Sequence, residues 1–419
     1  LHKIEINSLG ITIRCALQGS LQREKLSLSI NPLVLDSFLR LYFCIPWYRN
    51  SPQYQLFILE YLELHPQRNP FFQEHVSFVK YWVAFRDDKP VGRIAVWIDQ
   101  EYDKIQSPGT STKTGWIGLF ESIDDPIVAH HLLQTAIQTL RDQGVQSIIG
   151  PGRFNASSQV GLQIDGFHHA PYFMEPFNPP YYQPFFDSYG TPINDWYSFG
   201  VAEKSFAHYL QRVQKIENKK GSFQNQLRQK GIRIYSPTKG SLSYEVPRAI
   251  SLYNHLWSSP EHPQFSPLLA KEQASLQQII SMFWEPSLVH IAETSQRKMV
   301  GIGITVPDIN EALETLPLSF RSKNPPKIAL LWRDMEGFYR IFKKSKQHAF
   351  TRARVLILGS AIPFNGLDTA LYQNLYWATK KLGITKISAS QIADSNLPMM
   401  NPLQNMGTIE KKWRVYQMQ

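Results

Sequence analysis

Two cysteines in 419 residues, Cys15 and Cys44, are too few for a disulfide framework and fit a reducing compartment. No apolar run approaches the roughly 18 residues of a membrane-spanning helix. Residues 1–10, LHKIEINSLG, lack the apolar core of a signal peptide, so none is expected there, and without an opening Met the natural start is not set. Walker loops, dinucleotide fingerprints and nucleophile elbows are missing, which leaves those chemistries without support. Histidine occurs in adjacent pairs, His130-His131 and His168-His169, with no Cys, His or Glu partner at ligand spacing. Neighbours on a helix do not share a face, so no metal site is expected.

What is present is an ordinary globular composition, 43% hydrophobic and 19% charged, long enough for two domains with cores of their own. The formal charge of +10 is unevenly spread. Residues 321–354 hold ten Lys/Arg against Asp334 and Glu336, a net +8. Such a run suits anionic lipid, acyl-CoA phosphates or an acidic carrier protein, or it is a solvated face. No nucleic-acid module surrounds it, so nucleic acid is not an expected partner. The expected location is cytoplasmic, with peripheral contact at the inner face of an anionic membrane as an option.

The chain repeats itself. Gly115–Gly144 and Arg354–Gly383 are both 30 residues long and align without a gap, Ile123 on Ile362, Leu132 on Leu371, Gln134 on Gln373 and Gly144 on Gly383. Upstream, Val83-Ala84 leads to Val91-Gly92 as Ile291-Ala292 leads to Val300-Gly301. Downstream, Asn155, Leu162 and Gly166 are spaced as Asn396, Leu403 and Gly407. Three matching blocks in one order argue for tandem duplication. Each copy reads as strand, loop, helix, strand, preceded by a hairpin; in the first, residues 76–98 turn at Arg86-Asp87-Asp88-Lys89-Pro90.

Two stretches stand outside the repeat. NPLVLDSFLRLYFCIPWYRN (31–50) reads as an amphipathic helix that starts at Asn31-Pro32 and ends at Pro46. It is core, or it covers an acyl-chain groove or touches a membrane surface. The other, Gly150–Tyr189, is dense in aromatics, and its prolines at 171, 176, 179, 180 and 184 preclude a regular helix. Asn155, Glu175, Asn178, Tyr181 and Tyr182 are its candidate pocket groups; packing between the halves is the alternative.

Hairpin ending in Val-Gly, strand, loop, helix, strand, then Asn-x10-Gly resembles the GNAT superfamily of acyl-CoA N-acyltransferases, present twice. RNPFFQEH (68–75), KPVGRIAV (89–96), GLFESIDDP (118–126), GPGRFN (150–155), GLQIDGF (161–167), PFNPPYY (176–182) and VPDINEAL (306–313) resemble a bacterial family of tandem GNAT-like proteins. That family looks similar to bacterial ceramide synthases, which acylate a sphingoid-base amine from a thioester. The resemblance covers most of residues 30–419. It implies an α/β fold of two GNAT-like domains with central mixed sheets. The expected division is an N-terminal segment (1–75), a first domain without a phosphate loop (76–203), a basic helical connector (204–235) and a second, acyl-CoA-binding domain (236–419).

The implied chemistry is attack of a neutral amine on a thioester, which needs a base and a backbone N–H donor for the oxyanion. The co-substrate is acyl-CoA or an acyl carrier thioester, and no metal takes part. Leu358, Gly359, Ser360 and Ala361 are the implied oxyanion backbone, with Asn365, Gly366, Leu367, Asp368 and Asn396 completing the cofactor site. Glu121 and Asp308 are the candidate bases. The tyrosine that often serves as acid in the superfamily is Leu162 in one copy and Leu403 in the other, so Tyr181, Tyr182, Tyr372 and Tyr416 are the candidate acids, or the acid is lost. Asp124, Asn155, Glu175, Asn178 and Asn310 are expected to meet the acceptor amine.

The sequence departs from the superfamily pattern. Its loop reads Pro363-x-x-Gly366-x-Asp368, with one glycine left and a carboxylate near the phosphates. The first copy has Asp124-Asp125-Pro126-Ile127 there, with Ile127 aligned on Gly366, so no CoA phosphate is expected in it. Three classes follow: an N-acyltransferase acting on a small or lipid amine, a degenerate acyl-CoA- or lipid-binding protein, and an aminoacyl- or peptidyl-transferase.

Overall fold

The computed structural model describes residues 3–6, 10–22, 25–50, 55–154, 159–258, 262–282, 285–314, 316, 325–362 and 366–419. The first half runs β1 (Ile11–Gln22), α1 (Pro32–Cys44), α2 (Phe57–Leu64), β2 (Val76–Arg86), β3 (Lys89–Asp99), β4 (Thr114–Ser122), α3 (Pro126–Arg141), β5 (Ser147–Arg153), α4 (Tyr182–Asp187) and β6 (Gly190–Ala202). The second opens with α5 (Glu203–Lys220), β7 (Ile232–Tyr235), α6 (Leu242–Trp257), α7 (Ala270–Met282), β8 (Val289–Thr294) and β9 (Met299–Pro307). It ends with α8 (Lys327–Lys346), β10 (Arg352–Ser360), α9 (Leu367–Lys381), β11 (Lys386–Ala393), α10 (Leu397–Met406) and β12 (Thr408–Met418).

Local chemistry explains several boundaries. Asn31 caps α1 by accepting from the Val34 N–H, Pro32 fits its first turn, and the helix stops before Pro46. The β2–β3 hairpin turns through Asp87 and Asp88, both at positive φ, which matches the twist of the paired strands. Asp125 caps α3 by accepting from the N–H groups of Ile127 and Val128. Residues 204–235 are not wholly helical: the last four form β7, which pairs with β8. Proline did not exclude a helix from the aromatic segment either. Pro184 lies in the first turn of α4, where its missing N–H would have no helical partner.

Both halves use one pairing scheme. β2–β3 and β3–β4 are antiparallel and β4–β5 parallel; β8–β9 and β9–β10 are antiparallel and β10–β11 parallel. Among the described residues the strands form one sixteen-stranded mixed sheet. Its main path is β1-β2-β3-β4-β5-β12-β6-β11-β10-β9-β8-β7, with an edge strand at Lys3–Ile6 beside β1. The ends of the halves are exchanged. β12 of the second half lies beside β5 of the first, and β6 of the first lies beside β11 of the second. β6 and β12 pair with each other from Gly190↔Met418 to Gly200↔Thr408.

Alternation along each strand separates two layers. On one face Trp97, Trp116, Trp196 and Trp413 pack with Val34, Leu35, Phe38 and Leu39 of α1. On the other, α3 covers β2–β4 through Val128, Leu132, Ala136 and Leu140. α5, α9 and α10 cover β6 and β11 through Phe206, Tyr376 and Leu403.

The repeat register is corrected at the helices. The N-cap of α3 is Asp125 and that of α9 is Gly366, so Gly366 corresponds to Asp125 and not to Ile127. The strand-to-helix loop of the second half is two residues longer than a gapless alignment allows.

Candidate functional site

β4 and β5 run close together and then part. A Cβ on Gly118 would lie 1.8 Å from the Gly152 carbonyl oxygen, and one on Gly150 would lie 2.3 Å from that of Ile117. Only glycine permits this approach, which accounts for GPGR in β5. Against β3, β4 carries one extra residue between Gly118 and Glu121, where Leu119 has φ +49°. Where the strands separate, a cavity of about 90 Å³ opens, lined by Leu119, Phe120, Glu121, Arg153, Tyr48 and Tyr182, among others.

Glu121 is the titratable centre of the cavity. Its Oε2 accepts from the hydroxyls of Tyr48 and Tyr182, each at 2.9 Å. The Tyr182 oxygen in turn accepts from the Ser122 N–H at 2.7 Å. Arg93, wholly buried on β3, stands 3.7 Å from Glu121 Oε1, but its closer bonds go to Glu60 Oε1 at 2.7 Å and the Phe38 carbonyl at 2.8 Å. Glu60 also binds Arg153 at 2.5 Å, and Arg153 reaches Glu63 at 2.8 Å. Burial pushes the Glu121 carboxyl up to about 7, against the opposing pull of Arg93 and the two phenols. Burial, and then the Glu121 charge, raises both phenols well above the ordinary tyrosine value, so they remain donors. The arrangement can take up a proton near neutrality.

The other candidates are dispersed. Tyr181 donates to the Ser122 carbonyl at 2.9 Å, beside the cluster, and Asp124 is exposed nearby. Asp308 does not line the cavity. Its Oδ1 accepts from the N–H groups of Phe173 (3.0 Å) and Asn310 (3.2 Å), and its Oδ2 faces Arg352 at 2.8 Å. Burial holds it at about 7, with Arg352 pulling the other way. Asn310 donates to the Pro171 carbonyl at 3.0 Å.

Glu175 is wholly buried and saturated, bound to Lys411 at 2.9 Å and to Ser388 and Ser390 at 2.6 Å each. Burial alone would raise its carboxyl, but Lys411, Arg354 and the two hydroxyls bring it down to about 2. Asn178 lines the cavity while its amide is engaged by the backbone of Gln163 and Pro179. Asn155 and Asn365 lie outside the described residues.

In the second half β10 leaves β11 after Val355↔Ala389, which exposes the edge that carries Leu358, Gly359 and Ser360. The Ala361 N–H is bonded to the Val300 carbonyl at 2.9 Å, so alternation turns the N–H groups of Leu358 and Ser360 toward the parted edge. Gly366 starts α9 with φ +72° and no side-chain cap. A Cβ there would meet the Phe223 ring at 2.4 Å. Leu367 is buried, Asp368 sits in the first turn with its carboxyl raised by burial, and Asn396 caps α10 by accepting from the Met399 N–H. These residues share the region around α9 except Asn396, which is engaged in its own helix.

Sequence reasoning missed Tyr48, Glu60, Arg93 and Arg153. A signal was present: a charged residue inside an apolar strand (GRIAV) and another inside an apolar helix (FILEYLEL) require each other.

This architecture, hairpin, strand, helix and strand around a cleft where parallel strands part, is the GNAT fold in tandem. No protein-family model matches the chain. Protein YghO of Escherichia coli (strain K12) is 27% identical over 353 residues, 81% of either chain. The structure of a fungal multi-domain GH3 beta-N-acetylglucosaminidase with a GCN5-related glucosamine N-acetyltransferase region matches with a TM-score of 0.51 at 14% identity. That match covers 99% of this chain, which spans 38% of the other's length. A tandem GNAT protein from the clavulanic acid biosynthesis pathway gives a TM-score of 0.48 at 8% identity, over 96% and 98% of the two chains. Among the described residues no His/Cys/Asp/Glu group is arranged to hold a metal, and no helix is long and apolar enough to cross a membrane.

Proposed function

We propose that the protein transfers an acyl group from a thioester to an amine, with Glu121 as the proton acceptor. The observation that carries this reading is a buried carboxyl held near pH 7 in a cavity at the parting of β4 and β5. The thioester, on CoA or an acyl carrier, supplies the acyl carbon and a thiolate leaving group. The amine nitrogen bonds to that carbon, the C–S bond breaks, and the ammonium proton passes to Glu121. Tyr48 and Tyr182 orient the carboxylate, and Arg93 and Arg153 balance Glu60 behind it. The cavity has room for an amine head group; the acceptor we favour, on the sequence resemblance, is a long-chain, sphingoid-type lipid amine. Residues 76–203 then hold the acceptor and residues 236–419 the donor.

The donor's pyrophosphate is assigned to the N-terminus of α9. Among the described residues no side chain caps its amides, whereas Asp125 already satisfies those of Ile127 and Val128 in α3. A second placement, with the thioester in the parting of β4 and β5, is favoured by the cavity itself and by the extra residue in β4.

The test is thiol release from palmitoyl-CoA with sphingoid bases and polyamines, for wild type and Glu121→Gln. Release by wild type and its loss in the variant support the reading. A wild type that binds the thioester yet releases no thiol with any amine overturns it.

A further inference from the structure

The outer face of α8 bears an apolar stripe that the acyltransfer reading does not use. Ile328, Trp332, Met335, Tyr339 and Phe342 follow one another at spacings of four, three, four and three, and each is 59–63% exposed. Five large apolar side chains on one helical face form a continuous patch, unlike scattered exposed residues. The opposite face is anchored: Leu330 and Ile341 are buried, and a Cβ on Gly337 would lie 2.9 Å from Leu56. The stripe is therefore held outward by a rigidly packed helix.

Its surroundings are basic. Lys327, Lys343 and Lys346 are exposed, and Lys346 Nζ lies 4.8 Å from the Phe342 ring centre. Of the two acidic residues on α8, Asp334 is buried and Glu336 is paired with Arg340 at 2.7 Å. Two copies meeting through this face would juxtapose lysines with no exposed carboxylate of the helix to oppose them. A wet surface with negative charge above an apolar layer suits it better. Trp and Tyr prefer the boundary between head groups and acyl chains, and lysine stems can reach back to the phosphates.

We infer that α8 docks the protein on an anionic lipid bilayer, with its axis along the surface and the stripe at the head-group boundary. The inner face of the same helix touches the wall of the cavity. Asp334 accepts from the N–H groups of Phe57 (3.0 Å) and Ile58 (2.6 Å), capping α2, which carries Glu60. Arg333 reaches the carbonyl of Gln55, a cavity residue, at 3.4 Å. A docked protein would hold the cavity next to the bilayer.

Co-sedimentation of the full chain with phosphatidylcholine vesicles, with and without one quarter phosphatidylglycerol, tests this. Wild type should partition at least tenfold more strongly onto the anionic vesicles. Trp332→Ser/Phe342→Ser should lose at least tenfold of that binding, and Lys343→Glu/Lys346→Glu should remove the preference for phosphatidylglycerol. Unchanged thermal unfolding would show that both variants are folded. The inference fails if wild type stays in the supernatant or if both variants bind like wild type. It fails equally if wild type is a dimer that Trp332→Ser/Phe342→Ser converts to monomer, or if the stripe instead captures an acyl carrier protein. Vesicle binding without thiol release would leave it standing while overturning the acyltransfer reading.

Discussion

Glu121 stands 3.7 Å from Arg93, a guanidinium whose shorter bonds are committed to Glu60 and the Phe38 carbonyl. Glu121 thus has a buried cation in view without a full ion pair. Burial raises its carboxyl, and Arg93 and the two phenols pull against that rise, which leaves it at about 7; Glu175, equally buried, meets Lys411 and Arg354 and is held low.

A pH dependence follows. A base with its proton affinity near 7 is protonated and idle below that pH and free above it, so acyl transfer should rise as pH climbs through about 7. Glu121→Gln should remove this limb and lower kcat/KM by about 100-fold or more. A stopped assay from pH 5.5 to 9 with a low-pKa amine checks it; an unchanged limb in the variant would assign the titration to another group.

Tyr48→Phe and Tyr182→Phe each delete a hydrogen bond that favours the ionised carboxylate. Both should move the rising limb to higher pH, and the double variant further still. A merely structural role would lower activity without moving the limb.

The two placements of the donor are separable by calorimetry with a non-hydrolysable acyl-CoA analogue. Gly366→Val drives a side chain into Phe223 and should weaken binding if α9 holds the pyrophosphate. Gln159→Trp fills the cavity and should weaken it instead if the thioester enters between β4 and β5.

His75 joins the halves: its Nδ1 lies 3.1 Å from Asp99 and its Nε2 2.8 Å from Glu272 on α7. Burial opposes its charge, but the two carboxylates prevail and raise it to about 10. The folded value exceeds the unfolded one, so this stabilisation is full below pH 6.5 and fades as pH rises through about 10. His75→Ala should cost about 3–5 kcal/mol at neutral pH by leaving two buried carboxylates without their cation. Unfolding curves should show the gap between wild type and variant narrowing toward pH 10.

Gly118→Ala should prevent β4 and β5 from pairing, because the new methyl would overlap the Gly152 carbonyl. We expect about 3 kcal/mol or more of destabilisation, read as a lower midpoint in urea, with loss of the cavity.

Much of this architecture is legible in the chain. Asn31, Pro32 and Pro46 bracket α1, Arg86–Pro90 marks a hairpin turn, and the two strand–helix–strand units follow from short apolar runs beside a helical period. Glu121 is reachable as a carboxylate at the end of a strand. Its neighbours Arg93 and Glu60 each stand out as a charge within an apolar element, but their pairing joins a strand and a helix 33 residues apart. No local period encodes such a pairing. The stripe on α8 is legible too, since the spacing of 328, 332, 335, 339 and 342 is helical, although it lies within the most basic run of the chain. The position of β12 was not legible at all: β6 and β12 alternate alike, and either could border either half.

That exchange has a consequence for how the molecule is made. β5 acquires its neighbour through Tyr416↔Gly150, so a ribosome must pass residue 416 before the first sheet has its closing strand. Until then, among the described residues, β5 is paired on that edge only at Gly152 and Arg153, by Gln159–Val160, and β6 waits for β11. Cleavage between residues 203 and 236 would give each fragment a strand that belongs beside the other. The halves of this duplicated chain are thus obligate companions, and any gene fission would have to re-route both terminal strands first.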